Sequence, residues 1–253
     1  MWIYSLGKVI NRVMYSKAIW DTSPIIRMFC AKLNGSCAHL RITNHILLEK
    51  VYEELRKRNT KDIKQQYDDR GKFIQDDDEA RAVLNAIQNC SSLFSLVIPK
   101  GINICDVKKE FDLDESDGEF WVVAYALKSG SNKVVVIIDD GPALNEICRK
   151  YNDERHQFKI LTSLHIIYLL TCKEQVITYK VGMKLFNNFY TNFFGRIDKK
   201  ASCFLNLEAI FQEITGKDSK KAKHTKRISN NMAYVSEDKG WVPYGSIKSD
   251  ANK

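Results

Sequence analysis

The stretch VVVIIDDGPAL at residues 134–144 decides the fold. Its five consecutive β-branched residues predict a strand that is buried on both faces, which is typical of a parallel sheet covered by helices. The strand ends at Asp139 and Asp140, and Pro142 favours the first turn of a helix, where its missing N–H costs nothing. We therefore expect a strand, an acidic turn and a helix, the repeating unit of an α/β protein.

Comparable strands and helices lie on both sides of this stretch. Apolar runs predict further strands at 17–20, 39–42 and 158–161, and helical periodicity predicts helices at 25–33, 46–58, 119–130, 143–151 and 164–171. Strands that alternate with helices at this spacing form parallel sheets through right-handed crossovers. The predicted fold class is α/β, a three-layer α/β/α sandwich around a central, mostly parallel sheet.

The remaining segments define the expected domain organisation. Residues 1–16 form an N-terminal extension, and residues 17–198 form the α/β domain. Residues 59–100 are polar at first and then helical over 79–89, and we interpret them as a helical insertion within that domain. Residues 199–253 show weak periodicity, so we expect a basic and partly disordered C-terminal extension.

Composition restricts the class of protein and its compartment. The chain has 253 residues, of which 44% are hydrophobic and 28% charged, and no apolar run approaches the ~18 residues of a membrane span. The seven cysteines are odd in number and form no C-x-x-C pair, which argues against a disulfide framework and against a zinc site. These features predict a soluble, cytoplasmic protein without a membrane partner.

The net charge of +8 is concentrated near the C-terminus. Residues 199–253 contain eleven Lys or Arg and six Asp or Glu, which gives a local charge of +5. Such a segment indicates a polyanionic partner, with nucleic acid the first candidate, although solubility alone is the competing explanation. The residues expected to bind nucleic acid are Lys217, Lys220, Lys221, Lys223, Lys226 and Arg227.

Acidic residues follow the predicted strands at the carboxyl edge, where open α/β sheets bind ligands. They are Asp21 after the first strand, Asp139 and Asp140 after the central one, and Glu49 and Glu119 within neighbouring helices. Singly, each acid is explained by the helix macrodipole or by a surface pair. Together, converging carboxylates repel one another, and a hard divalent cation such as Mg²⁺ or Mn²⁺ relieves that repulsion. The acids therefore indicate a metal site.

The order of these acids resembles that of the PIN-domain nucleases, the family that includes VapC-type toxins. KAIWDTSPII at 17–26 resembles the opening strand with its Asp and Thr/Ser, and ILLEKV at 46–51 resembles the helix with the second acid. DGEFWVVAYAL at 117–127 is similar to the third motif and VVVIIDDGPAL to the closing strand, and FKILTSLHIIYLL at 158–170 resembles the elements that follow. The resemblance covers roughly residues 17–195.

This resemblance implies a PIN-like fold and a Mg²⁺- or Mn²⁺-dependent endoribonuclease, a hydrolase of phosphodiester bonds in RNA. The catalytic acids it implies are Asp21, Glu49, Glu119, Asp139 and Asp140, all of which except Glu49 would bind the metal. It also implies the toxin half of a toxin–antitoxin pair, with an antitoxin protein as partner and a homodimer as the assembly.

Alternatives stay open within this site and for the function. Thr22 or Ser23 would hold the first acid by a hydrogen bond, and Glu53 and Glu54 are rivals for the second acid. Trp121 stands where a subgroup of the family often carries another acid, so the alternative function is a catalytically weak or inactive PIN-like nucleic-acid-binding protein. A Mg²⁺-dependent phosphatase is a more distant alternative, because that class usually has Asp-x-Asp after the first strand.

Other conspicuous residues have structural interpretations. His45 lies one turn before a candidate acid, and we expect it to have a capping or surface role. The four acids at 76–79 directly precede a predicted helix, where acids are electrostatically favoured. Helical spacing predicts a buried face on a helix at 185–195, formed by Phe186, Phe189, Tyr190 and Phe193.

Overall fold

The computed structural model describes residues 14–131, 133–151, 156–189, 232–236 and 240–243. The chain separates into two compact units, one formed by Val13–Ile197 and the other by Met1–Arg12 together with Asp198–Lys253. The first unit contains the α/β fold and every candidate acid. Within the described ranges, no helix is long and apolar enough to cross a membrane.

The first unit is built around a sheet of five parallel strands. They are β1 (Tyr15–Trp20), β2 (Ile42–Leu48), β3 (Ser95–Val97), β4 (Val134–Ile137) and β5 (Phe158–Leu161). Their order across the sheet is β3-β2-β1-β4-β5, and every neighbouring pair is parallel. The chain therefore leaves β1 toward one edge and returns to the other side of β1 as β4. Ligands of open α/β sheets bind at such a reversal of strand order.

Helices flank the sheet. They are α1 (Thr22–Cys30), α2 (Glu49–Lys57), α3 (Thr60–Lys64), α4 (Asp77–Gln88), α5 (Ile104–Glu110), α6 (Gly118–Ser129), α7 (Gly141–Lys150), α8 (Ser163–Tyr168) and α9 (Tyr179–Phe189). Two 3₁₀ turns (Ser36–His39 and Cys90–Leu93) and a π-helical turn (Leu169–Lys173) complete the described elements of this unit. The α/β class and the central parallel sheet are thus confirmed.

The core lies on the three central strands, as the β-branched run predicts. All four residues of β4 are fully buried, and so are the ends of β1 and β2. Trp20 pairs in register with Leu47 on one side and with Ile137 on the other, and Ile137 pairs with Leu161. Because the strands end at the same level, the residues that follow β1 and β4 meet at one edge of the sheet.

The second strand lies later in the chain than predicted. His39 belongs to a 3₁₀ turn, and β2 extends to Leu48, so the apolar residues 46–48 are strand and not helix. A short apolar triplet fits both periodicities, and here pairing with the buried β1 decides for the strand. Leu48 is still extended, with φ −79° and ψ 146°, and α2 begins only at Glu49.

Residues 59–100, which we interpret from the sequence as a helical insertion, contain a strand as well as helices. The stretch contains β3, the edge strand of the sheet, which pairs with β2. Its principal helix, α4, packs against α1 and α2 and so belongs to the helical layer of the same domain. The strand has only three residues, and a run this short gives little periodic signal.

Only part of the C-terminal predictions falls on residues that the structure describes. Helix α9 ends at Phe189 in the described range, and both Phe186 and Phe189 are fully buried, as the helical spacing predicts. Tyr190, Phe193 and the basic residues 217–227 lie outside the described residues. In the second unit, Met232–Ser236 (β6) and Gly240–Pro243 (β7) form an antiparallel pair, where the sequence predicts no regular structure.

Candidate functional site

Asp21 lies at the junction of β1 and α1, directly at the reversal of strand order. It is the N-cap of α1, and its Oδ2 accepts a hydrogen bond from the Ser23 backbone N–H at 3.4 Å. The side chain is fully buried, and its Oδ1 has no hydrogen-bond partner among the described residues. Burial, together with the negative charges of Glu119 and Glu54, raises the pKa of Asp21 well above its usual value.

Glu54 on α2 is the second acid that the structure brings to this place. The Thr22 hydroxyl donates a hydrogen bond to Glu54 Oε2 at 2.5 Å, so the residue after Asp21 holds the carboxylate of a different helix. Glu53 instead faces solvent and pairs with Lys50 at 3.5 Å. Glu49 lies in the first turn of α2, partly buried, and no described hydrogen bond or ion pair links it to Asp21.

The sequence contains a signal that favours Glu54 over its rivals. The buried residues of α2 are Val51 and Leu55. Glu54 is three residues after Val51 and adjacent to Leu55, so it borders the buried face of the helix. Glu53 lies farther from that face. The prediction of Glu49 rested on a motif match with the helix placed too early in the chain.

Gly118, the first residue of α6, lets the carboxylates approach. A Cβ atom at this position would lie 3.1 Å from both carboxylate oxygens of Glu54 and 3.2 Å from Oδ1 of Asp21. Three carboxylate oxygens from two elements therefore surround one point beside the glycine. Any side chain here would press on these oxygens, and glycine removes that obstacle.

Glu119 and Asp140 complete the group of acids. The pKa of Glu119 is raised to about 7, mainly by burial and in addition by the negative charges of Asp140, Glu54 and Asp117. Asp140 is the N-cap of α7, and its Oδ1 accepts a hydrogen bond from the Ala143 backbone N–H at 2.8 Å. We call Asp21, Glu54, Glu119 and Asp140 the acidic cluster.

Asp139 has a different environment although it precedes Asp140 in the chain. It is buried, forms an ion pair with Arg27 of α1, and accepts hydrogen bonds from the Ser163 backbone N–H at 2.7 Å and from the Ser163 hydroxyl. Its two oxygens are therefore used within the protein. The sequence interpretation placed Asp139 among the metal ligands, whereas the structure uses it to join β4 to α1 and α8.

The chemistry of the acidic cluster fits a hard divalent cation in a hydrated form. The donors are all oxygens, and Asp21 Oδ1 is a buried acceptor without a described partner. Among the described residues, however, no group of three or more His, Cys, Asp or Glu side chains is arranged to hold a metal ion. Mg²⁺ usually binds through one or two carboxylates and keeps several waters, so a closed cage of protein ligands is not required.

Two other groups of residues prove structural. His45 is partly buried, accepts a hydrogen bond from the Trp20 indole N–H at 3.0 Å and lies against that ring, and it does not cap a helix. Asp76 caps α4 by accepting from the Glu79 backbone N–H at 2.7 Å, and Asp77 pairs with Lys64 at 2.7 Å. The acids at 76–79 thus serve a helix N-terminus, as predicted.

The sequence was compared with protein-family models and with curated proteins, and neither comparison gives a match. The established class is therefore the one that the coordinates define. It is an α/β protein whose central parallel sheet has the order β3-β2-β1-β4-β5 and is flanked by helices.

Proposed function

We propose that the chain is a ribonuclease that uses Mg²⁺ or Mn²⁺ to hydrolyse phosphodiester bonds in RNA. The observation that carries this proposal is the convergence of the acidic cluster at the reversal of strand order, with a fully buried Asp21 whose Oδ1 has no described partner. Buried charges are normally paired, because removing a carboxylate from water is costly. A carboxylate left without a counter-charge at a ligand-binding edge indicates a cation as its ligand.

The protonation behaviour of the cluster supports the same interpretation. The raised pKa values of Asp21 and Glu119 mean that the folded protein resists ionising these carboxyls together. A divalent cation reverses this preference, because it stabilises the ionised forms of both groups. Binding of the cation is therefore expected to release protons near neutral pH.

Each member of the cluster has a distinct role in this proposal. Asp21 and Glu54 hold the cation, and Thr22 orients Glu54 through its hydroxyl. Glu119, with a pKa of about 7, is able to hold or release a proton at its carboxyl near neutral pH. When bound, the cation would polarise the phosphate and activate water for in-line attack.

The resemblance to PIN-domain nucleases supports RNA as the substrate. The acids of the four motifs follow β1, lie on α2, begin α6 and follow β4, and Glu54 takes the place of the second-motif acid. The net charge of +8 suits a polyanionic substrate. A toxin–antitoxin role, an antitoxin partner, a homodimer and a cytoplasmic location belong to the same proposal and rest on the resemblance and composition alone.

One observation favours a second candidate function, a nucleic-acid-binding protein without catalysis. The described acids form no group of three arranged to hold a metal, and Asp139 is committed to Arg27 and Ser163. A PIN-like domain that keeps the sheet but binds no cation would have this appearance. The two candidates differ in whether the protein binds Mn²⁺.

The decisive experiment incubates the purified full-length chain with a pool of single-stranded and structured RNA, in Mn²⁺ and in EDTA. Glu54→Gln and Glu53→Gln are matched variants, because the two residues are neighbours on α2 and only Glu54 belongs to the acidic cluster. Asp21→Asn and Glu54→Gln are expected to lose at least about 100-fold in the cleavage rate, with Glu53→Gln unchanged.

Direct Mn²⁺ binding provides the second readout. The wild type and Glu53→Gln are expected to bind Mn²⁺ by calorimetry, and Asp21→Asn is expected to bind it at least about tenfold more weakly. If the wild type binds RNA but neither binds Mn²⁺ nor cleaves, the binding-protein candidate replaces the nuclease. Cleavage that persists in EDTA contradicts both.

A further inference from the structure

A groove runs between α5 and α6 and shares no residue with the acidic cluster. This α5–α6 groove is open to solvent and has a volume of about 330 Å³. Its apolar lining comes from both helices and from the segment that leads into α5, and consists of Ile102, Val107, Ala124 and Leu127. An open groove between two helices, lined by apolar side chains, is a shape that accepts a helix of a partner protein.

The apolar side chains around the groove are incompletely covered. Val107, Phe120 and Ala124 form a small buried cluster. The hydrophobic residues that pack against this cluster are all partly exposed, and they are Ile102, Ile104, Leu113, Trp121 and Leu127. Apolar surface that is continuous around a groove is typical of a protein–protein contact site.

The charge beside the groove indicates the chemistry of the partner. Residues 106–117 contain six Asp or Glu and two Lys, a local charge of −4 in a chain whose net charge is +8. Two of these acids, Asp106 and Glu110, line the groove one helical turn apart on α5. Glu110 Oε2 lies 3.2 Å from His156 Nε2, and the Asp106 side chain is 64% exposed. This surface attracts cations and repels a polyanion such as RNA.

The basic side chains beside the groove do not prevent a cation from reaching Asp106. Lys109, three residues along the same helix, lies 3.5 Å from the Asp106 carboxylate, and both side chains are largely exposed. Exposed pairs of this kind contribute little to stability, so an incoming cation replaces Lys109 at little cost. Lys128 also lines the groove, and its ammonium group donates to the Lys100 carbonyl, which holds it at the end where the chain enters α5.

We propose that the α5–α6 groove binds a basic amphipathic helix of a partner protein. Its large apolar side chains enter the groove, and its Lys or Arg side chains meet Asp106 and Glu110. Two acids one turn apart on α5 match two cations one turn apart on the incoming helix, since residues at this spacing lie on the same helix face. The apolar lining supplies affinity and the charges select a basic partner. This proposal is independent of the proposed ribonuclease activity.

The test uses a fluorescently labelled helical peptide of about 14 residues, with Leu on one face and Lys on the other. It is titrated with the full-length protein at physiological ionic strength, and binding is followed by fluorescence anisotropy. We expect saturable binding in the micromolar range. A peptide of equal charge with Ser in place of Leu, and one with Glu in place of Lys, should each bind at least about tenfold more weakly. Absence of saturable binding overturns the proposal, and equal binding of the Ser peptide reduces it to charge attraction alone and overturns the groove.

Matched variants locate the binding surface. Asp106→Asn should weaken binding of the Leu–Lys peptide about fivefold, whereas Asp78→Asn should not, although each acid is exposed and pairs with a basic residue three positions later. Leu127→Gln should weaken it at least about tenfold, whereas Leu96→Gln, at an exposed leucine of β3, should leave it unchanged. All four variants should keep the wild-type circular dichroism. Equal effects within either pair would contradict the site.

Trp121 provides a direct readout of the position of the peptide. It packs against the same apolar cluster, and its indole N–H donates a hydrogen bond to the Glu115 carbonyl at 2.8 Å. The indole resonance, assigned with Trp121→Phe, is followed by NMR in the ¹⁵N-labelled protein. We expect a saturable shift with the Leu–Lys peptide in the wild type and equally in Asp21→Asn, because the groove does not involve the acidic cluster. Anisotropy that saturates without such a shift would place the peptide elsewhere and overturn the proposal.

Discussion

Asp139 and Asp140 are neighbours in the chain, and the fold treats their charges in opposite ways. Asp139 is buried with Arg27 and with both donors of Ser163 around it. Asp140 caps α7 and adds its negative charge to that of Glu119. Both aspartates lie at the carboxyl edge of the sheet. The Asp139 carboxylate is neutralised by Arg27, whereas the carboxylates of the acidic cluster face one another without a counter-charge among the described residues.

This difference separates structural from functional use of the same residue type. The ion pair of Asp139 joins the end of β4 to α1 and α8, and breaking it would leave a charge buried in the protein interior. The acidic cluster instead costs stability, because its like charges raise the pKa values of Asp21 and Glu119. Sites that bind cations or catalyse reactions commonly carry such a cost.

The largest expected effect comes from breaking the neutralised side. Arg27→Met leaves Asp139 without its counter-ion, and we expect the free energy of unfolding to fall by about 3–5 kcal/mol in urea denaturation. Arg81→Met is the matched control, because Arg81 pairs with Asp78 at the surface, where such pairs contribute about 0–1 kcal/mol. Equal losses in the two variants would show that Asp139 does not depend on Arg27.

Removing one negative charge should change the free energy of unfolding in opposite directions at Asp139 and at Asp21. Asp139→Asn removes the charge that Arg27 needs and is expected to lower the free energy of unfolding. Asp21→Asn keeps a residue suited to the N-cap but removes a buried carboxyl whose ionised form is repelled by its neighbours, and it should raise this free energy at pH 7.5 without divalent cations. If Asp21→Asn instead lowers the free energy of unfolding, the Asp21 carboxylate is compensated by another group of the protein.

The pH dependence of stability provides a finer comparison. The pKa of Glu119 is about 7 in the folded protein, above its ordinary value of 4.5, so its ionisation lowers stability as the pH rises through this interval. Burial lowers the pKa of His165 to about 4, which has the opposite sign: stability falls as the pH drops below 6.5. Only the difference between the wild type and Glu119→Gln isolates the carboxyl.

We expect Glu119→Gln to melt at about 3–6 °C above the wild type at pH 7.5 and at nearly the same temperature at pH 4.5. Both melting curves are measured in EDTA by circular dichroism. Mn²⁺ should raise the melting temperature of the wild type at pH 7.5 more than that of the variant. A difference that is the same at both pH values would mean that Glu119 does not titrate in this interval.

The sequence predicted this edge well but not the division of charges within it. The β-branched run at 134–138 identifies β4 and the apolar run at 17–20 identifies β1, and the strand-end positions of Asp139, Asp140 and Asp21 follow from these two runs. Which aspartate is neutralised depends on Arg27 and Ser163, which lie far from Asp139 in the chain. That information exists only once α1 and α8 are packed, so no local pattern reports it.

The sequence left the second acid open among Glu49, Glu53 and Glu54. The motif match that favoured Glu49 placed residues 46–48 in the helix, and these apolar residues fit a helix as well as a strand. Pairing with β1 fixes this boundary, and pairing of distant strands is not a local property of the sequence.

The smallest expected effect concerns Thr22, which connects the two acids of the cluster that lie beside Gly118. Thr22→Val removes the hydrogen bond to Glu54 and should lower the free energy of unfolding by about 0.5–1.5 kcal/mol. The freed Glu54 side chain then samples more rotamers, so the cleavage rate in Mn²⁺ should fall about tenfold. Thr22→Ser keeps the hydroxyl and should recover most of the rate. If the two variants cleave RNA equally slowly, the methyl group of Thr22 is what the rate depends on, and its hydroxyl does not position Glu54.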